Sequence, residues 1–188
     1  MWALVESGSI SKIIKQPKQQ LIGDIKYPRN IFELWSSSEL EAIGIYEVVE
    51  DNTNLKDKNY YINTEQTFTF SSGAVKASYG TATARSLDDS GSGSDLVKGL
   101  KTIHKEYINN HAYTLLQSND WLVIRNQEAG TAIPSAWSTF RTNVRSTADD
   151  MKNKIDAVSD VDALAALYVY NEQDPPTRPL GEWPTKPS

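Results

Sequence analysis

Up to about residue 89 the apolar positions come in short runs with a period of two, and beyond residue 95 they recur every three or four residues. That change of period predicts a β-rich half followed by a helical half. Trp2 to Ser7 and Ser9 to Ile14 are β-compatible runs parted at Gly8, and Pro17 and a turn at Gly23-Asp24 follow, which predicts a hairpin-like opening. Ser38-Glu39-Leu40-Glu41 reads as a capping box, in which a serine oxygen and a carboxylate satisfy the first free amides of a short helix, with Gly44 placed to end it. Ile45 to Val49 is apolar and β-branched and predicts a strand. Tyr60 to Ile62, Thr67 to Phe70 and Val75 to Ala82 then predict a small antiparallel meander, with Phe68 and Phe70 on one core-facing side.

In the second half, Leu96, Leu100, Ile103, Tyr107, Ala112 and Leu115 predict one amphipathic helix over 95–117, ended by Ser118-Asn119-Asp120. Trp137, Phe140, Val144, Ala148, Met151 and Ile155 trace a single stripe of a long helix that begins at Pro134-Ser135. Ser159 is placed to cap a third helix with Val161, Leu164, Ala165 and Tyr168 on its inner face, and Pro175-Pro176 stops it. The expected fold class is α+β: a small antiparallel β-rich half with one short helix, then a helical hairpin or three-helix half. The expected divisions are a β-rich domain over 1–89, a flexible Gly/Ser linker over 90–94, a helical domain over 95–173 and a Pro-rich tail over 174–188, extended and partly disordered. Ser90-Gly91-Ser92-Gly93-Ser94 alternates strictly, like an engineered linker standing in place of a longer loop.

Composition narrows the function. The formal net charge is -5, with an isoelectric point near 5.1 and no cluster of Lys and Arg, which argues against nucleic acid as a partner. The absence of cysteine removes disulfides, thiolate metal sites and cysteine nucleophiles together. Met1 to Glu6 reaches an acidic residue before any apolar run of signal-peptide length, so neither a signal peptide nor membrane insertion is expected.

Few residues suggest chemistry. His104 and His111 stand seven apart in the first long helix, too far for one metal ion, and both are expected to be solvated. Asp88-Asp89 and Asp149-Asp150 are adjacent carboxylates, and neighbours on a helix diverge by about 100°. No phosphate loop, dinucleotide fingerprint or serine-nucleophile elbow occurs. The expectation is no catalytic residue, no cofactor and no metal.

The most informative segment runs from Leu115-Leu116 through Asp120-Trp121, Arg125 and Glu128 to Trp137, Phe140-Arg141 and Arg145. It resembles the C-terminal region of phage tail-fibre assembly and related small tail proteins, in which a helix ends in a Leu-Leu pair and an Asp-Trp dipeptide. In that pattern a Trp-containing helix then carries an aromatic-Arg pair and a second Arg four residues on. A second resemblance lies at Ile22-Gly23-Asp24-Ile25-Lys26-Tyr27-Pro28 and Ser38 to Ile45, similar to the opening of many small phage tail-region proteins. The residues also have a reading of their own. Asp120 is placed to cap the turn between two antiparallel helices, Trp137 is expected to pack on Leu100, Ile103 or Tyr107, and Arg141 or Arg145 is expected to pair with Glu128.

The resemblance implies a non-enzymatic tail or tail-fibre structural or assembly protein of a tailed bacteriophage. Its partners would be tail-fibre or baseplate proteins or further copies of itself, in the host cytoplasm during assembly or in the virion tail. The alternative is a receptor- or glycan-binding tail module that stacks sugars on Tyr60, Tyr61 and Tyr79.

Overall fold

The structure of the chain, a computed structural model, describes residues 1–187. It is α+β and divides into two compact units, the first ending at Thr83 and the second beginning at Ala84.

The first unit is built on a hairpin. Strands β1 (Trp2–Glu6) and β2 (Ser9–Ile14) are joined by Ser7 and Gly8, whose φ angles of 50° and 77° give the left-handed backbone that a two-residue hairpin turn requires. Register slips between Leu4, opposite Lys12, and Val5, opposite Ile10, so Ser11 is the extra residue of a bulge. The bulge puts Ile10 and Ile13, which differ in parity, on the same side of the sheet with Ala3 and Val5. A second small hairpin, β3 (Gln20–Ile22) and β4 (Ile25–Tyr27), leads into two short helices, α1 (Ile31–Leu34) and α2 (Ser37–Ala42).

The capping box of α2 uses Ser36 and Glu39 rather than Ser38 and Glu41. Both serine-to-glutamate spacings fit the pattern; the earlier start gives the helix the turn that carries Leu40 into the core. Hydrogen bonds from Ser36 hold the Glu39 carboxyl below its usual range. Gly44, at φ 82°, turns the chain directly into β5 (Ile45–Asp51), and its carbonyl accepts from the Val5 amide at 2.8 Å.

The remaining strands depart from a meander. A hairpin of β7 (Gln66–Ser71) and β8 (Ala74–Tyr79) forms as expected, but β8 runs parallel to β5, giving the order β2-β1-β5-β8-β7. The short β6 (Tyr61–Ile62) stays out of this sheet and pairs with β9 (Thr83–Ala84). Parallel pairing brings Val48 opposite Val75, so that Ala3, Val48, Val75 and Ala77 share one apolar layer with Phe68 and Phe70 beside it. The other face carries Leu4, Ile14 and Ile45, covered by Ile31 and Leu40 of the two helices. The second face is thus covered over β2, β1 and the start of β5, whereas over β8 and β7 it is exposed, with Val49, Thr67, Thr69 and Lys76 facing outward.

The second unit consists of α3 (Leu100–Gln117), α4 (Asp120–Ala129), α5 (Ser135–Ala157) and α6 (Val161–Ala166). α3 starts five residues later than its apolar pattern suggests (100 against 95), because the residues before it are bound elsewhere. Ser90 and Val97 exchange two backbone hydrogen bonds, and Gly93–Asp95 form a 3₁₀ turn between them. The Gly/Ser stretch, expected to be a flexible linker, is therefore held at both ends. Gly99 donates its amide to the Asp89 carboxylate, while the Leu100 and Lys101 amides donate to the Ser86 and Leu87 carbonyls. That arrangement satisfies the first amides of the helix in place of a capping side chain.

α4 occupies what the apolar pattern leaves as an irregular connection. Asp120 opens its first turn, and Gly130, left-handed at φ 63°, closes it by donating to the Asn126 carbonyl. α5 follows its stripe closely, burying Phe140, Val144, Ala148, Met151 and Ile155. The cap of α6 is Asp160, which accepts the Ala163 amide at 2.8 Å, while Ser159 supports the cap by donating to Asp160. The tail is docked, not disordered: Leu180 is 1% exposed, its amide donates to the Leu167 carbonyl, and Lys154 donates to the carbonyls of Pro179 and Leu180.

Candidate functional site

α3 and α5 run antiparallel, with Lys105 pairing with Asp156 at one end and Arg141 reaching the Leu116 carbonyl at the other. At that second end the helices meet α4, and the residues of the Leu-Leu, Asp-Trp and aromatic-Arg pattern converge. Arg141 is only 7% exposed. Its guanidinium donates to the Asn119 side-chain oxygen and to the Leu116 carbonyl at 3.3 Å, and forms an ion pair with Asp120 at 2.8 Å. Asn119 is fully buried and donates its own amide to the Leu115 carbonyl at 3.0 Å. One planar cation therefore ties the last turn of α3, the first residue of α4 and the second turn of α5, using the fork geometry that lysine lacks.

The expected carboxylate partner is corrected by this arrangement. Glu128 is exposed and pairs with neither arginine, because it sits two turns along α4 from the junction where Arg141 is anchored. Arg145 is exposed as well and donates to the Arg141 carbonyl of its own helix at 3.3 Å.

Trp137 is also placed differently. It lies one turn before Arg141, beyond the C-terminal end of α3, so it is remote from Leu100 and Ile103 at the opposite end of the antiparallel pair. Its ring is half-buried, edge-on to Phe140 at 5.9 Å, with the Lys186 ammonium 5.6 Å from its centre. The tail thus supplies the cover that α3 was expected to give.

α4 turns Leu122 inward and leaves Trp121 and Ile124 each 55% exposed. The Arg125 guanidinium lies over the Trp121 ring, 4.9 Å from its centre, a cation–π contact that orients the arginine back along the helix. Its Nε is buried without a hydrogen-bond partner among the described residues.

Of the two histidines, His111 is exposed as expected and His104 is not. His104 is half-buried with Nδ1 2.7 Å from the Tyr168 hydroxyl, and burial pushes its pKa down; His111 stacks on Trp183 at 4.9 Å. Each imidazole has its own aromatic partner, and neither belongs to a cluster of three or more His, Asp or Glu able to hold a metal ion among the described residues. Tyr60, Tyr61 and Tyr79, the sugar-stacking candidates, are each half-buried. No described helix is long and apolar enough to cross a membrane.

Asn119 is the residue of this site that sequence reasoning overlooked as a participant. Its one visible signal is a polar amide directly before Asp120-Trp121 at a helix break, a position that elsewhere is usually a solvated turn. Comparison with protein-family models, curated proteins and solved structures finds no match to this chain.

Proposed function

We propose that this chain is a non-enzymatic structural or assembly protein of a bacteriophage tail or tail fibre, acting through protein–protein contacts. The observation that carries the reading is the junction around Arg141, which fastens α4 at its base while Trp121 and Ile124 face outward. A rigid helix presenting a tryptophan, an aliphatic side chain and an arginine is the kind of surface that anchors protein interfaces. The resemblance of Leu115-Leu116, Asp120-Trp121, Trp137, Phe140-Arg141 and Arg145 to tail-fibre assembly proteins supplies the class of partner: tail-fibre or baseplate proteins.

The test is to tag the chain in cells producing the phage that encodes it, and to identify by mass spectrometry what it carries with it. Tail-fibre or baseplate proteins should be recovered with the parent and lost with Trp121→Ser. Recovery of no tail protein, together with absence of the chain from both particles and tail intermediates, would overturn the proposal.

A further inference from the structure

Where α6 ends, the chain borders a cavity of about 520 Å³, a volume inside the roughly 300–1,000 Å³ of small-molecule sites. Ala166, Val169 and Pro179 give it apolar lining, to which Tyr170 adds an aromatic ring that is 50% exposed. Asn171 closes the loop over 171–177 by donating its amide to the Thr177 carbonyl at 2.8 Å and accepting the Thr177 amide on its side-chain oxygen at 2.9 Å. Its side-chain nitrogen donates to the Thr177 hydroxyl oxygen at 2.8 Å, which leaves the proton of that hydroxyl to donate elsewhere.

Arg178 follows directly and also lines the cavity. Its side chain is 17% exposed, and its guanidinium lies 5.3 Å from the centre of the Tyr170 ring and 5.9 Å from that of Tyr168. Its Nε donates to the Gly181 carbonyl at 3.2 Å. Neither Nη nitrogen has a hydrogen-bond partner among the described residues and neither is buried, so a fixed guanidinium keeps these donors unspent. Charge decides the class of ligand. Glu182 pairs with Arg178 at 3.3 Å, so the cation is already balanced, and the exposed Glu172 and Asp174 of the loop add negative potential. An anion gains little there. What the cavity offers is a set of hydrogen-bond donors beside an apolar and aromatic surface, which a sugar ring matches with its hydroxyls and its C–H face.

We infer that this cavity binds a neutral saccharide, with Tyr170 and Val169 against the C–H face of the ring and Arg178 and Thr177 donating to its hydroxyls. The site lies in the second unit, unlike Tyr60, Tyr61 and Tyr79, and shares no residue with the outer face of α4.

The test is amide-resolved NMR titration of the full chain with the methyl glycosides of glucose, galactose, mannose, rhamnose and N-acetylglucosamine, and with maltose and lactose. Each is taken to about 50 mM, well beyond a millimolar Kd. At least one sugar should shift the amides of residues 169–171 and 177–178 along a saturating curve. Tyr170→Ala and Val169→Arg, both changes at exposed positions, should each weaken that binding about tenfold or more while leaving the circular dichroism spectrum unchanged. Arg178→Lys keeps the charge, loses the fork and should weaken binding too; if it fails to fold, the two exposed variants decide the matter. A panel in which no sugar moves those amides, or binding indifferent to both Tyr170→Ala and Val169→Arg, would overturn the inference. So would glucuronate or inorganic phosphate binding there more tightly than every neutral sugar, since the site would then be one for anions.

Discussion

Arg141 and Asp120 stand on different helices and meet at 2.8 Å, the arginine buried and the aspartate half-exposed. The pair is unequal in what each partner leaves behind. Removing Arg141 strands the buried Asn119 oxygen and the Leu116 carbonyl, so Arg141→Ala should cost about 3–5 kcal/mol, the range for breaking a buried charged network from one side. Asp120→Ala removes a contact already shared with water and should cost under about 1 kcal/mol. Urea unfolding of the two variants checks this; equal losses would mean that Asn119 and Leu116 add nothing to the junction.

His104 provides a dependence on pH with a definite sign. Burial lowers its pKa below the ordinary value of 6.5, so the folded chain binds this proton less readily than the unfolded chain does. Its contribution is complete above about pH 6.5 and is lost as pH falls from there through the lowered folded value. Between about pH 7 and pH 5 the parent should therefore lose stability more steeply than His104→Gln, whose side chain does not titrate. Identical slopes in chemical unfolding would remove His104 as the cause.

The docked tail should behave as core. Leu180 is buried and hydrogen-bonded to Leu167, so Leu180→Ala should cost about 2–5 kcal/mol by the large-to-small scale. Ending the chain at Asp174 should cost at least as much. Thermal unfolding reads both, and an unchanged melting temperature would show the tail to be dispensable.

Gly44 is a position where glycine itself is required. A Cβ added there would sit 2.7 Å from the Val5 carbonyl oxygen, on a backbone with φ 82°. Gly44→Ala should cost more than the roughly 1–2 kcal/mol of left-handed strain alone, because the β1 strand must shift as well. Guanidinium unfolding monitored by tryptophan fluorescence measures the difference.

These residues also separate what the sequence discloses from what it conceals. The stripe from Phe140 to Ile155 is legible because α5 has one buried face and one wet face, and every apolar member of it after Trp137 is buried as read. α4 is hidden because Leu122 points in while Trp121 and Ile124 point out, which erases the periodicity that marks a helix. The arginine pattern is visible as residue types, yet its partner is not: Asp120 and Glu128 are equally good carboxylates until the antiparallel register places one at the junction and the other two turns away. The tail is misread for a related reason. Its prolines signal extension correctly, but an extended segment is disordered only if nothing binds it, and Lys154 lies far away in sequence. The parallel partnership of β5 and β8 is likewise invisible, since strand pattern reports burial and says nothing of direction.

That partnership bears on how the first unit assembles. The hairpins β1–β2 and β7–β8 each join neighbours in sequence and can close in about 1–10 μs, but they lie on opposite sides of β5 and do not touch through a strand ladder of their own. β5 must find β1 across the segment from Ile14 to Ile45 and find β8 across the segment from Asp51 to Ala74, and only then are the two apolar clusters complete. The loop-closure entropy of those two searches falls before their reward arrives, so insertion of the central strand, and not formation of either hairpin, should set the folding rate of this unit.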